Sequence, residues 1–292
     1  MLRSAGGLYA VDLGEQIIDC TVRGRLKLGD ARVTAGDRVI VEILPQGNGR
    51  IDRLLPRTTR LSRRAAAGGR EQVIVANADQ LAAVFAAAQP APDLRLLDRF
   101  LVLGELGGLA PFIVLNKLDL AADGDLGDAL APYLRAGYEI LLTSARRGDG
   151  VLELGRRLRD HATVFAGPSG VGKSSLLNRL LPDEELRVRE VSQKRGRGKH
   201  TTVRSSFYRL PSGGYVADTP GLQQLVPWGV LPDELAGAFP EFRGALQGCR
   251  FNDCRHVAEP DCAIRQLVRS GVASEGRYGS YVALLEETGE DS

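Results

Sequence analysis

The amino-acid sequence predicts a multidomain chain: a small all-β barrel at the N-terminus, a central α/β domain with its motifs in circularly permuted order, and a mostly helical C-terminal domain gathered round a metal. Three observations predict it. Short β-rich runs punctuated by turn residues fill the first quarter of the chain. A glycine-rich phosphate loop at Gly167–Ser175 comes after, rather than before, Asn116-Lys117-Leu118-Asp119. Finally, Cys249, Cys254, His256 and Cys262 fall within fourteen residues. The 292 residues accommodate about two or three domains. The boundaries are expected near Gly68 and Trp228, giving 1–68, 69–227 and 228–292.

In the first of these, Gly7–Val11, Ile17–Arg23, Arg38–Ile43 and Gly49–Leu55 read as strands because β-branched and aliphatic residues alternate with polar ones between Gly, Asp and Asn turns. Several short strands without helices imply a barrel. Residues 1–70 hold thirteen Lys/Arg against seven Asp/Glu, whereas the whole chain carries only +2. A local basic surplus is the pattern of one face meeting a phosphate backbone, or else of an ordinary solvated surface. Residues 57–70, basic and ending in paired glycines, read as the linker.

The α/β domain begins at the apolar strand Leu81–Ala87. A second strand, Pro111–Leu115, delivers Asn116, Lys117, Leu118 and Asp119 to the carboxyl edge of the sheet, where open α/β folds bind ligands. The Asp119 carboxylate offers an acceptor pair matched to two donors on the guanine edge, and the Lys117 stem can lie over the base. A third strand, Glu139–Leu142, ends in Thr143-Ser144-Ala145, a loop whose backbone N–H meets the guanine carbonyl. An isolated N-K-x-D tetrapeptide marks only a surface turn; its place after one strand, with T-S-A after the next, gives it meaning. The strand Val164–Ala166 then feeds Gly167, Pro168, Ser169, Gly170, Val171, Gly172, Lys173, Ser174 and Ser175. Backbone N–H groups of such a loop wrap phosphates, the lysine reaches the outer ones, and the Ser174 hydroxyl holds Mg²⁺. Pro182 stops the helix beyond that loop.

After the strand Gly214–Ala217, Asp218-Thr219-Pro220-Gly221 supplies an aspartate for Mg²⁺ and, at Gly221, an N–H for the terminal phosphate. Between the two motifs lies the basic, glycine-rich segment 194–202, read as a first switch in which Thr201 or, preferably, Thr202 completes the Mg²⁺ shell. The bland alternative is a basic loop with no metal role. Permutation leaves such a sheet intact, because domain termini lie at the surface and close together. It also ties the chain beyond Gly221 to the second switch.

That C-terminal stretch carries Cys249-x₄-Cys254-x-His256-x₅-Cys262, three thiolates and an imidazole, a closed tetrahedral set of the structural-zinc type. Free thiols and disulfides are the competing accounts. No secretion signal or long apolar run is read, so a cytoplasmic protein with no membrane partner is expected and disulfides are disfavoured. Cys20 stands apart as a core or semi-buried thiol in a strand, with no role assigned. Pro232–Leu235, Ala263–Val268 and Tyr278–Glu287 read as helices around the metal loop.

This combination resembles the RsgA (YjeQ) family of circularly permuted GTPases, which act with the small ribosomal subunit during its late maturation. The resemblance rests on Asn77-Ala78-Asp79-Gln80, Asn116–Asp119, Gly167–Ser175, Gly196–Thr202, Asp218–Gly221 and the Cys249, Cys254, His256, Cys262 set, and spans nearly the whole chain. Pro168 departs from it, standing where a polar residue is common. The resemblance implies that the N-terminal barrel is an OB-fold and that the central domain is a P-loop GTPase binding GTP and GDP with Mg²⁺. It also implies one structural Zn²⁺ and, as partners, the small subunit and its rRNA. A monomer is expected.

The position after D-T-P-G, where many switch GTPases place a water-orienting glutamine, is Leu222. A leucine can neither donate nor accept a hydrogen bond, so intrinsic turnover should be slow. His200 is the candidate to orient the attacking water beside Lys173 and Thr202, the alternative being that it touches rRNA. A nucleotide-gated RNA-binding module with incidental hydrolysis is the second function class. DNA binding by the metal loop is a weaker third, since no groove-entering basic helix is present.

Overall fold

A computed structural model of the protein describes residues 1–24, 32–64, 71–121, 126–182, 205–219 and 230–289. His200, Thr202, Gly221 and Leu222 lie outside the described residues, as does the whole of segment 194–202.

The N-terminal sheet contains β1 (Arg3–Ala5), β2 (Leu8–Asp12), β3 (Ile17–Val22), β4 (Val39–Ile43) and β5 (Gly49–Leu54) in the order β1-β2-β3-β5-β4. All neighbours are antiparallel except β3 and β5. Alternation produces this layer: in β3, Ile18, Cys20 and Val22 are buried while their neighbours face out, and they pack with Val11 and Ile51. The chain is multidomain, with this OB-fold-like sheet first.

The segment expected to be only a linker is partly a strand. β6 (Arg60–Arg64) pairs antiparallel with β7 (Glu71–Ala76), so the expected boundary near residue 68 falls between two paired strands. Its sequence hides this, since Leu61 alone carries the inward apolar signal among arginines and serine; that one side chain is 2% exposed and lies in the same core cluster as Val75. β1 is likewise too short to be read from pattern.

The central sheet has six strands in the order β10-β9-β8-β11-β13-β12. They are β8 (Gln80–Ala86), β9 (Ala110–Asn116), β10 (Ile140–Leu142), β11 (Ala162–Ala166), β12 (Ser206–Arg209) and β13 (Tyr215–Asp218). All pair in parallel but the edge strand β12. Permutation places β8, the domain's first strand within this sheet, in the middle, with every residue buried. Both faces are covered, which is why it reads as a continuous apolar run. Leu81, Ala83 and Phe85 share a core with α1 (Leu94–Leu106) and α2 (Gly127–Arg135). Ala82, Val84 and Ala86 share another with α3 (Val151–Leu158) and α4 (Lys173–Leu180). Asp93 caps α1, its carboxylate accepting from Leu96 N–H.

The motif Asn77-Ala78-Asp79-Gln80 is the joint between barrel and central domain. Asn77 Oδ1 accepts from Thr58 N–H at 2.9 Å while its Nδ2 donates to Gly36 O at 3.0 Å. Asp79 Oδ2 accepts from Ala162 N–H at 2.7 Å, stitching the start of β8 to β11. On the far edge, Phe207 N–H donates to Leu2 O and the Tyr215 hydroxyl meets the Asp12 carboxylate, both at 2.9 Å.

The C-terminal part comprises α5 (Pro232–Gly237), a 3₁₀ stretch at Pro240–Gly248, α6 (Ala263–Arg269) and α7 (Glu275–Gly289). Phe239 and Phe242 stack at 5.1 Å, and Tyr281 meets both edge-on. Val102 of α1 belongs to the same apolar cluster, so the helical part shares a core with the central domain. Arg277 of α7, 2% exposed, donates to Asp98 of α1 at 2.7 Å, pairs with Glu241, and lies over the rings of Tyr133, Tyr138 and Phe239. A buried guanidinium needs such full pairing to offset its lost hydration.

Candidate nucleotide site and metal cluster

The motif residues of the base and phosphate loops converge at the carboxyl ends of β8, β9, β10 and β11. Asn116, 1% exposed at the end of β9, connects three loops. Its Nδ2 donates to Val171 O of the phosphate loop at 2.9 Å. Its Oδ1 accepts from Ala145 N–H at 3.0 Å and from the Thr143 hydroxyl at 3.2 Å. Asp119 accepts from the Ser144 hydroxyl at 2.6 Å. That bond, against a small opposing effect of desolvation, holds its carboxyl below the usual carboxylate range. Lys117 adopts φ +63 and its ammonium meets Gln89 O. Leu118 begins the 3₁₀ turn that carries Asp119 and is exposed.

The phosphate loop continues from β11. Gly167 has φ +150, and a Cβ there would lie 2.0 Å from Val84 O. Gly172 has φ +96, and a Cβ there would lie 2.2 Å from Asn116 Nδ2. No side chain fits either place, so the close approach of the phosphate loop to β8 at Gly167 and to the base loop at Gly172 requires glycine. Gly172 also opens α4, whose N-terminal N–H groups suit an anion. Lys173 Nζ donates to the carbonyls of Gly167 and Pro168, each at 2.7 Å. Burial lowers its pKa, with Asp218 opposing. Ser169, Gly170, Val171, Ser174 and Ser175 complete the loop and the first turn, Val171 being buried and the last two serines exposed. Asp218 ends β13 opposite Phe165, beside that loop, and Thr219 Oγ1 donates to Phe165 O at 3.0 Å. Ser174 and Asp218 thus supply a hydroxyl and a carboxylate beside the phosphate loop, the hard oxygen donors Mg²⁺ takes; Thr202 and Gly221 lie outside the described residues.

Two features carry no sequence signal because they act through backbone. Ser144 N–H bonds Asp149 O at 2.9 Å, and Arg179 of α4 donates to Ala145 O and Arg146 O, both at 3.0 Å.

In the C-terminal part, Cys249, Cys254, His256 and Cys262 bring their ligand atoms within 4.8 Å of one another, the last two buried. His256 Nδ1 lies 3.5 Å from both Cys249 Sγ and Cys262 Sγ, and those sulfurs are 4.0 Å apart. All cysteines are free, Cys20 being buried in β3. The loop is braced from within by Glu259 and from outside by α7. Glu259 accepts from the N–H groups of Arg255, Val257 and Ala258 at 2.8–3.0 Å. Tyr278 and Tyr281 donate to His256 O and Arg255 O at 2.7 and 2.8 Å. Three thiols and an imidazole in this arrangement can hold a metal ion. Among the described residues no helix is long and apolar enough to cross a membrane.

The family profile described as RsgA GTPase matches residues 54–228. A relative from Gemmatimonas aurantiaca, named small ribosomal subunit biogenesis GTPase RsgA, is 43% identical across 98% of this chain and 96% of its own. One of the same name from Moorella thermoacetica is 42% identical over the same shares. Among solved structures, YjeQ from Thermotoga maritima superposes with TM-score 0.79 at 33% identity, covering 98% of this chain and 96% of that one. YloQ, described as a circularly permuted GTPase, gives 0.77 at 32% identity, covering 100% and 94%. With permuted motif order, a six-stranded nucleotide sheet and the Cys₃His cluster in place, the chain belongs to the RsgA GTPase family and is a GTP-hydrolysing enzyme.

Proposed function

We propose that the chain acts in small ribosomal subunit biogenesis, as its relatives are named, hydrolysing GTP to GDP and phosphate when docked on the subunit. The observation that carries the nucleotide reading is the Asn116 junction, which holds the phosphate loop and the T-S-A loop on one side chain beside Asp119. Asp119 accepts the two donors of the guanine edge, a T-S-A backbone N–H meets its carbonyl, and Lys117 covers its face. Residues 167–175 wrap the phosphates, with the Lys173 ammonium on the outer ones. Ser174, Asp218 and Thr202 hold Mg²⁺, which neutralises charge on the phosphates when bound. Leu222 cannot orient water, so His200 takes that role once the subunit orders the first switch, and turnover without the subunit is slow. The barrel's basic surplus faces rRNA.

Zinc is the ion proposed for the cysteine cluster. Bonds of about 2.3 Å to sulfur and about 2.0 Å to nitrogen at a tetrahedral angle separate sulfurs by about 3.8 Å and sulfur from nitrogen by about 3.5 Å. The 4.0 Å between Cys249 and Cys262 and the 3.5 Å from each to His256 fit that frame, while the set with Cys254 spreads to 4.8 Å.

The test is GTP turnover with and without purified small subunits, with ATP as control. Stimulation confined to GTP supports the reading; tight GTP binding with no stimulation favours instead the nucleotide-gated RNA-binding module, the reading that Leu222 supports.

A further inference from the structure

Arg179 stands on α4, the helix that leaves the phosphate loop, yet its guanidinium reaches the base loop. Nε donates to Ala145 O and Nη2 to Arg146 O, both at 3.0 Å, so two adjacent carbonyls share one planar fork. A guanidinium makes such paired bonds in a fixed geometry that an ammonium cannot reproduce. Arg179 is itself exposed on α4.

The consequence comes from peptide planarity. In a trans peptide the C=O and the next N–H point in opposite directions. With the Ala145 carbonyl turned toward α4, the Arg146 N–H is turned away from it. With the Arg146 carbonyl likewise held, the Arg147 N–H is turned away too, and it meets the Ser144 hydroxyl at 3.1 Å. The Ala145 N–H is engaged by Asn116 Oδ1. Among the described residues the Arg146 N–H meets no acceptor, which leaves it available to a carbonyl on the ligand.

We infer that Arg179 is a positioning residue for guanine recognition: by clamping the Ala145 and Arg146 carbonyls to the phosphate helix, it aims the Arg146 N–H at the guanine 6-carbonyl. This rests on the reading of the T-S-A loop as the guanine-carbonyl contact. It gives the base loop a second tie to the phosphate helix, independent of Asn116.

The test compares the affinity of GDP with that of 6-thioguanosine diphosphate, which keeps N1–H and the 2-amino group but puts a weakly accepting sulfur in place of the 6-carbonyl oxygen, in the full-length protein and in Arg179→Ala and Arg179→Lys. Alanine is the best helix former, so folding of α4 is preserved. The expected result is that Arg179→Ala weakens GDP roughly fivefold and leaves the analogue unchanged, with Arg179→Lys intermediate. Equal weakening of both ligands, or no weakening of GDP, in a wild-type background that discriminates between them would overturn the positioning role alone. A wild-type protein that binds both equally would overturn the reading of the T-S-A loop and this inference with it.

Discussion

In the nucleotide site the loops hold one another. Asn116 bonds the phosphate loop and the T-S-A loop, Ser144 bonds Asp119, and two glycines admit contacts that no Cβ would permit. In the cysteine cluster the loop is held by Glu259 within it and by Tyr278 and Tyr281 of α7, while its sulfurs and imidazole converge on a common centre. Thiolates so close repel one another unless a cation lies between them. On the proposed reading the first site is built by the fold, with its ligand added to finished geometry, whereas the second is completed by a metal ion. Ligand removal should be tolerated by one and ruinous to the other.

Disrupting the metal cluster should give the largest effect. Structural zinc contributes an apparent free energy of about 10–16 kcal/mol in small domains. Cys262→Ser, or chelation, should lower stability to denaturant by about 5 kcal/mol and unfold the 249–262 loop while GDP affinity holds within about twofold. Denaturant titration with metal analysis checks this, and an unaltered midpoint in metal-free protein would erase the contrast between the two sites. Next comes the seam between the two regions. Arg277→Met strands Asp98 and Glu241 in a buried place and should cost about 3–5 kcal/mol of stability. A loss under about 1 kcal/mol would mean that the seam is hydrated and the two parts less closely joined. Asn116→Ala, which orphans Val171 O and Ala145 N–H, should weaken GDP by about thirtyfold or more in calorimetry, from about 2 kcal/mol of lost hydrogen bonding, with little change in metal content.

The mildest effect is one of pH. The folded-state pKa of Asp119 is depressed by the Ser144 hydroxyl. A depressed carboxylate contributes above its unfolded value and is lost only as pH falls through the lower folded one. Between about pH 8 and about pH 5, titration of Asp119 should therefore leave guanine selectivity over adenine unchanged. Selectivity that fades across that range would mean that the base is not read by a carboxylate held at or below the ordinary aspartate range.

The parts of this molecule legible in the sequence are those whose side chains recur in a recognisable type and spacing. Asn116, Asp119, Lys173 and the four metal-cluster residues declare themselves by type and spacing, and the apolar runs of β8, β9 and β11 declare a sheet buried on both faces. The hidden parts act through main chain or through isolated side chains. β6 shows one inward leucine among charges, so its pairing with β7 left no alternation to read. Arg179 and Glu259 bond peptide groups, which have no sequence signature. Arg277 lies just ahead of the helix read at Tyr278–Glu287, and its burial follows only from the fold, in which α1 and the 3₁₀ stretch at Pro240–Gly248 bring Asp98 and Glu241 to it.

In the proposed function, guanine selectivity hangs on Asp119, held by Ser144 beside the Asn116 junction. It is tested by measuring the affinity of the wild-type protein and of Asp119→Asn for GDP and for xanthosine diphosphate. Xanthine replaces the 2-amino donor of guanine with a carbonyl acceptor, which an amide NH₂ can serve and a carboxylate cannot. The wild type should prefer GDP, and Asp119→Asn should reverse the preference. Retention of the GDP preference by Asp119→Asn would mean that another group reads the base.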